Sequence, residues 1–142
     1  MILILGGTTE GRMAVKVADE AGSLYYYATR GSLQQIVCKY GIHVTGGMDL
    51  PYMIEFCRSN SIRLLIDAAH PFAMELHRTV AATSEALQLP VVRVERTYPE
   101  YSADLVWCDD YEDAIKKLKE AGIIRLLALT GVQTIGKLQD YW

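Results

Sequence analysis

"ILILGGTTEGR", residues 2–12, joins a fully apolar run to a glycine-rich turn and the first turn of a helix. A short continuous apolar run reads as a parallel strand buried on both faces. The helix is expected from Gly11 to Ala21, with Met13, Val17 and Ala21 on its inward face and Gly22 as its stop. The turn is also a candidate anion cradle. Gly6 or Gly7 allows the sharp bend, and Gly11 lets the helix pack close to the strand. The N–H groups of the first helical turn then face an anion. Thr8 and Thr9 offer hydroxyl donors, where the ordinary dinucleotide fingerprint has glycine at the position of Thr8. Glu10 favours the helix dipole; it either points away from phosphates or accepts from ribose hydroxyls. A purely structural glycine turn reads the same way from these residues alone.

Outward from this turn, apolar runs alternate with amphipathic ones. Further strands are expected at residues 24–28, 42–45, 63–67, 91–94, 105–107 and 125–129. Asp49 caps a helix with Pro51 in its first turn and Leu50, Met53, Ile54 and Cys57 along one face. Pro71 is expected to open the longest helix, whose inward stripe is Phe72, Leu76, Val80, Thr83 and Leu87 and which Pro90 ends. Asp110 caps another helix, carrying Tyr111, Ala114, Ile115 and Leu118. Residues 32–39 read as a short helix or an ordered loop, and 96–104 as an irregular loop. The fold class is α/β: a Rossmann-like parallel sheet with helices on both faces, in a single domain. Right-handed crossovers place the carboxyl ends of the strands on one edge, where ligands of such sheets bind.

The segments at that edge carry the unusual residues. "ATRGS", 28–32, puts Thr29 and Arg30 where NAD sites have an acid about 20 residues after the turn. An arginine there offers a planar fork of donors to a 2′-phosphate, so a dinucleotide at this edge is expected to be NADP. "TGGMD", 45–49, offers Gly46 and Gly47 for close passage of a ribose or pyrophosphate, or makes a plain loop before the Asp49 cap. In "DAAHPFA", 67–73, Pro71 holds His70 extended, outside the helix. His70 either donates to a substrate carboxylate, acts as a proton donor, or bonds a neighbouring backbone group and shapes the turn. "RVERTYPEY", 93–101, brings Arg93 and Arg96 for acidic substrate groups, with Glu95 able to pair with either. "LTGV", 129–132, closes the set. His43 and His77 fall on a strand and a helix surface and take no role.

Composition narrows the partners. The chain has 142 residues, enough for one domain with a core, and its 51% apolar and 22% charged residues are globular values. A net charge of −3 gives no basic field for nucleic acid. There is no polybasic patch for a membrane surface, and the apolar run at residues 1–5 is too short for a signal peptide or a span. Cys38, Cys57 and Cys108 form no metal spacing and read as buried free thiols of a cytoplasmic protein. No metal site and no Ser-His-Asp set emerges. No tyrosine has lysine four positions later, which sets aside short-chain dehydrogenases. A flavodoxin-like FMN domain is weakened by Arg30, which FMN does not need.

Taken together, "ILGGTTEGR", "ATRGS", "GGMD", "LIDAAHPFA" and "RVERTYPEY" resemble the precorrin-6A reductase family and its cobalt-precorrin-6A counterpart. Ala69 stands where that family usually has threonine, and Tyr98 occupies a region where it often has tryptophan. The resemblance implies an NADPH-dependent oxidoreductase of cobalamin biosynthesis that reduces a corrin-precursor tetrapyrrole to the 6B form. It implies two α/β domains with substrate between them, of which this chain corresponds to the first. Residues 1–131 are then the dinucleotide-binding domain, and 132–142 the hinge and start of the second. The cofactor candidates are the strand-end residues Gly6, Gly7, Thr8, Thr9, Glu10, Gly11, Thr29, Arg30, Gly46 and Gly47. His70, Arg93 and Arg96 are the candidates at the substrate, a polycarboxylate by the resemblance, with His70 also the catalytic candidate. An NADP(H)-binding module or redox sensor without catalysis is the alternative. A homodimer through the sheet edge and the apolar region around Ile135 and Leu138 is a further expectation.

Overall fold

The structure, a computed structural model, describes residues 1–31, 36–97 and 104–141. Residues 32–35 of the expected short helix or loop, and 98–103 of the expected irregular loop, lie outside the described residues. The chain clusters into two compact units, Met1–Tyr98 and Pro99–Trp142.

The first unit holds a five-stranded, wholly parallel sheet. Its strands are β1 (Ile2–Leu5), β2 (Tyr25–Thr29), β3 (Gly41–Thr45), β4 (Leu64–Asp67) and β5 (Val91–Arg93). They lie in the order β3-β2-β1-β4-β5, that of the doubly wound dinucleotide folds. The order reverses between β1 and β4, where Leu5 pairs with Asp67. Three helices cover the sheet: α1 (Thr9–Glu20), α2 (Leu50–Ser59) and α3 (Met74–Leu87).

Strand alternation splits the core in two. Leu3, Leu5 and Leu65 face Met53 and Cys57 of α2 and Val80 of α3. Ile4, Tyr25 and Tyr27 face Val15 and Ala18 of α1. Each large side chain so buried contributes about 1.5–3 kcal/mol. Tyr25 keeps a partner for its hydroxyl, which donates to Asp19 at 2.8 Å. The same carboxylate accepts the backbone N–H of Lys39 at 3.1 Å and of Tyr40 at 3.0 Å, which pins the entry to β3. Asp49 caps α2 as expected, accepting from the Tyr52 N–H.

The phase of α1 differs from the expected one. Gly11, Val15 and Ala18 are buried, whereas Met13 and Val17 are about 60% exposed. Gly11 sets that phase: a Cβ on it would stand 2.8 Å from the Gly6 Cα, so only glycine allows this approach. Positions i+4 and i+7 from Gly11 then turn inward. The longest helix begins at Met74 rather than Pro71. Residues 70–73 form a turn closed by the Ala73 N–H on the His70 carbonyl at 2.8 Å. Phe72 therefore leaves the inward stripe and is 86% exposed.

The second unit contains α4 (Tyr111–Glu120) and a 3-10 segment, Val132–Tyr141. Asp110 caps α4, accepting from the Asp113 N–H. The strands expected at 105–107 and 125–129 are not formed. Both runs have strand-type residues, but Val106, Trp107, Leu127 and Leu129 are exposed. A strand needs a neighbour to complete its ladder, and propensity alone does not supply one. "LTGV" is consequently not a sheet-edge segment. Of the cysteines only Cys57 is buried, its thiol pushed up to about 11 by that burial. Cys38 is half-buried and Cys108 exposed, in place of the expected buried set.

Candidate functional site

The carboxyl ends of β1, β2, β3 and β4 open into one groove of about 1050 Å³, at the upper end of small-molecule sites. It lies at the switch point, as open α/β sheets dictate. Gly6, Gly7, Thr8, Thr29, Arg30, Gly46, Gly47 and His70 all line it. Met48, Leu50, Phe72, Met74 and Leu76 give it apolar wall.

The glycine turn is fixed from beneath by Tyr27. A Cβ on Gly6 would lie 2.3 Å from the Tyr27 ring. The Tyr27 hydroxyl accepts the Gly7 N–H at 2.9 Å. Gly7 has a φ of +99°, which side chains disfavour, and the space around its missing Cβ is open. Thr8 is the N-cap of α1 and accepts the Gly11 N–H at 3.0 Å. Its own proton goes to the Ala68 carbonyl at 2.7 Å. Thr8 thus ties the turn to the end of β4 across the switch point, so it supplies position rather than the hydroxyl donor expected of it. Thr9 is exposed and accepts from Arg12 at 3.1 Å.

Thr9, Glu10 and Gly11 do not line the groove. Glu10 receives two hydrogen bonds from Arg96, at 2.9 and 3.2 Å. Those bonds first, and its own backbone N–H next, hold the Glu10 carboxyl down at about 2, against an ordinary 4.5. The folded value lies below the unfolded one, so this contribution is complete above pH 4.5 and is lost as pH falls through about 2. In Arg96→Ala the Glu10 carboxyl is expected to titrate higher, toward its ordinary value, because its largest cause of lowering is gone. Carbon-13 NMR of the carboxyl groups measures both proteins; a wild-type Glu10 that titrates ordinarily would refute the pairing.

At the end of β2, Thr29 Oγ1 donates to the Gly31 carbonyl at 2.8 Å. Its single proton is then committed, so His43 Nε2, at 2.7 Å, must donate to it. His43 also stacks on Tyr27, with ring centroids 5.4 Å apart. This brace holds the turn that presents Arg30 to the groove. Gly46 continues the ladder, its N–H reaching the Thr29 carbonyl at 2.9 Å.

Beyond Asp67 the chain turns at His70. The Phe72 N–H donates to His70 Nδ1 at 3.2 Å, so the proton of a neutral ring sits on Nε2. Arg93 does not line the groove; it borders a separate cavity of about 330 Å³ with Asp67 and His77. It reaches Asp67 Oδ2 at 3.3 Å and pairs with Glu95. Arg93 and Arg96 therefore both hold carboxylates of this chain. Among the described residues no group of three or more His, Cys, Asp or Glu could hold a metal ion, and no helix is long and apolar enough to cross a membrane.

Tyr27 and His43 brace the turns of the groove, and His77 bonds Asp67 and the His70 carbonyl; the sequence assigned none of the three a role. The available signal was Asp67, an acid closing a buried strand, because a buried carboxylate requires a donor partner.

The family model described as "Precorrin-6x reductase CbiJ/CobK" matches residues 1–142. The precorrin-6A reductase of Rhodococcus erythropolis is 30% identical over 149 residues, covering 99% of this chain and 59% of the relative. The cobalt-precorrin-6A reductase of Priestia megaterium is 28% identical over 142 residues, covering 95% of this chain and 54% of that one. A solved structure titled "CobK precorrin-6A reductase" matches with a TM-score of 0.68 at 23% identity, over 81% of this chain and 47% of that chain. That likeness concerns the fold. The chain spans 54–59% of the length of these two curated relatives.

Proposed function

Because this chain belongs to the precorrin-6x reductase family, we propose that its groove holds NADPH for reduction of a corrin-precursor macrocycle in cobalamin biosynthesis. The substrate is precorrin-6A or its cobalt form, and the product the corresponding 6B compound. The observation that carries this reading is that the glycine turn and Arg30 line one groove at the switch point. The fit is chemical. Open space at Gly7 leaves room for a pyrophosphate beside the α1 N-terminus. Arg30 offers a fork of donors to a 2′-phosphate. When bound, NADPH supplies the hydride. The chain would bind and orient it: Gly6 and Gly7, which line the groove, would admit phosphates, and Gly46 and Gly47 would leave room for a ribose. His70, with a proton on Nε2, faces the substrate as carboxylate donor or proton source. The domain boundary after residue 131 belongs to this proposal; the compact units themselves divide after Tyr98.

Titration of the pure chain with NADPH and with NADH, followed by cofactor fluorescence, is the direct test. Preference for NADPH is expected; equal or no binding sinks the reading. Gly7→Val is expected to remove NADPH binding from a folded protein. Valine at this φ is strained by about 1–3 kcal/mol, and its side chain occupies the open space at the turn. Circular dichroism checks the fold. Normal NADPH affinity in a folded variant would put the phosphate contact elsewhere.

A further inference from the structure

His77, on the first turn of α3, is held from both ring nitrogens. Its side chain is only 9% exposed. Nδ1 lies 2.7 Å from Asp67 Oδ2, and Nε2 lies 3.0 Å from the His70 carbonyl oxygen. A carbonyl oxygen only accepts, so this contact is a hydrogen bond when Nε2 carries a proton. One further proton lies between Nδ1 and the carboxylate. Arg93 Nη1 donates to the same Asp67 oxygen at 3.3 Å, and the Ala69 N–H reaches Oδ1 at 3.3 Å. Both favour an ionised Asp67, so the shared proton belongs to the ring. A ring that donates in both directions is an imidazolium.

The local charges agree with this. Arg93 Nη2 lies 3.3 Å from the same Nε2 and donates to it only if that nitrogen is bare; against a doubly donating ring it is a like-charge approach. That like-charge approach is offset by Asp67, buried between the two cations, and by Glu95, paired to the Arg93 Nε. Two carboxylates thus balance two cations. On the same helix Glu75 pairs with Arg78, while Glu85 borders the adjoining cavity.

The bonds join the end of β4 to the turn that follows it. The His70 carbonyl accepts from His77 Nε2 and from the Ala73 N–H together. His70, Phe72 and Ala73 line the groove. We propose that His77 is a positioning residue: an imidazolium clamped between the Asp67 carboxylate and the His70 carbonyl, which fixes the turn forming one wall of the groove. The clamp follows from the geometry; its effect on ligand affinity rests on the NADPH reading above.

The test uses the whole chain with nitrogen-15 labelled histidine. A long-range proton–nitrogen spectrum at pH 7 is expected to show two protonated nitrogens for His77, assigned by their loss in His77→Ala. A His77 with one bare nitrogen overturns the clamp, whether or not the protein binds NADPH. His77→Ala is then expected to retain cooperative melting and bind NADPH about tenfold more weakly. Unchanged NADPH affinity in the folded variant overturns the positioning role. If wild type binds no NADPH, the cofactor reading and with it the positioning role fail, while the spectrum still tests the clamp. Should His77→Ala not fold, assignment passes to His77→Gln. The wild-type spectrum then decides alone: two protonated nitrogens support the clamp, and one bare nitrogen overturns it.

Discussion

Gly6→Ala is expected to destabilise the sheet-bearing unit by about 3 kcal/mol, the upper part of the range for an overpacked core. Backbone conformation is not the reason, because Gly6 is not among the positive-φ glycines. Space is. The new Cβ would sit 2.3 Å from Tyr27 Cε2 and 2.7 Å from its hydroxyl. Tyr27 is fully buried and cannot swing aside. The Gly11 approach lies against the same ring, so α1 has no slack to give. Displacing the ring also breaks the hydrogen bond from Gly7 N–H. Urea unfolding measures the change. Tyr27→Leu removes the obstructing ring, so the double variant is expected to be more stable than the two single losses predict. Additive losses, or a Gly6→Ala protein within about 0.5 kcal/mol of wild type, would mean the ring does not hold the turn.

This arrangement explains what the sequence disclosed and what it hid. The strand–turn–helix of residues 2–12 was legible because apolar β1 and the glycines are local signals. Asp49 and Asp110 were legible as caps for the same reason: each accepts from an N–H three residues ahead. The phase of α1 was not legible, because it depends on Gly11 meeting Gly6, and neither has a side chain to enter a hydrophobic pattern. The runs at 105–107 and 125–129 have strand residues without strand partners, and partners are a property of the fold. At the site, the Thr8 hydroxyl looked free to donate because its bond to Ala68 spans 60 positions. His77 looked like surface because its helix position says nothing of Asp67 and His70, which meet it only after β4 and α3 pack. Arg93 and Arg96 looked available because their carboxylate partners, Asp67 and Glu10, lie 26 and 86 positions away.

Arg30→Ala is expected to weaken NADPH binding by roughly 1.5–3 kcal/mol, the range for a hydrogen bond to a charged group. That is on the order of tenfold to more than a hundredfold in Kd. NADH affinity is expected to stay nearly constant, because NADH lacks the 2′-phosphate that the guanidinium would bind. The selectivity follows from how Arg30 is mounted. It is exposed and lines the groove. The turn beneath it is held by Thr29, Gly31 and His43 through bonds of 2.8 and 2.7 Å that do not use the Arg30 side chain. Truncation at Cβ therefore leaves the turn in place and removes only the cation. The comparison is a pair of fluorescence titrations, NADPH and NADH, on wild type and variant at one ionic strength, since salt screens an exposed arginine. Arg30→Lys refines it: a charge without the planar fork is expected to recover part of the NADPH affinity. Equal loss for both cofactors would make Arg30 a structural residue. No loss for either would leave the preference for NADPH, if observed, to another cation at the groove.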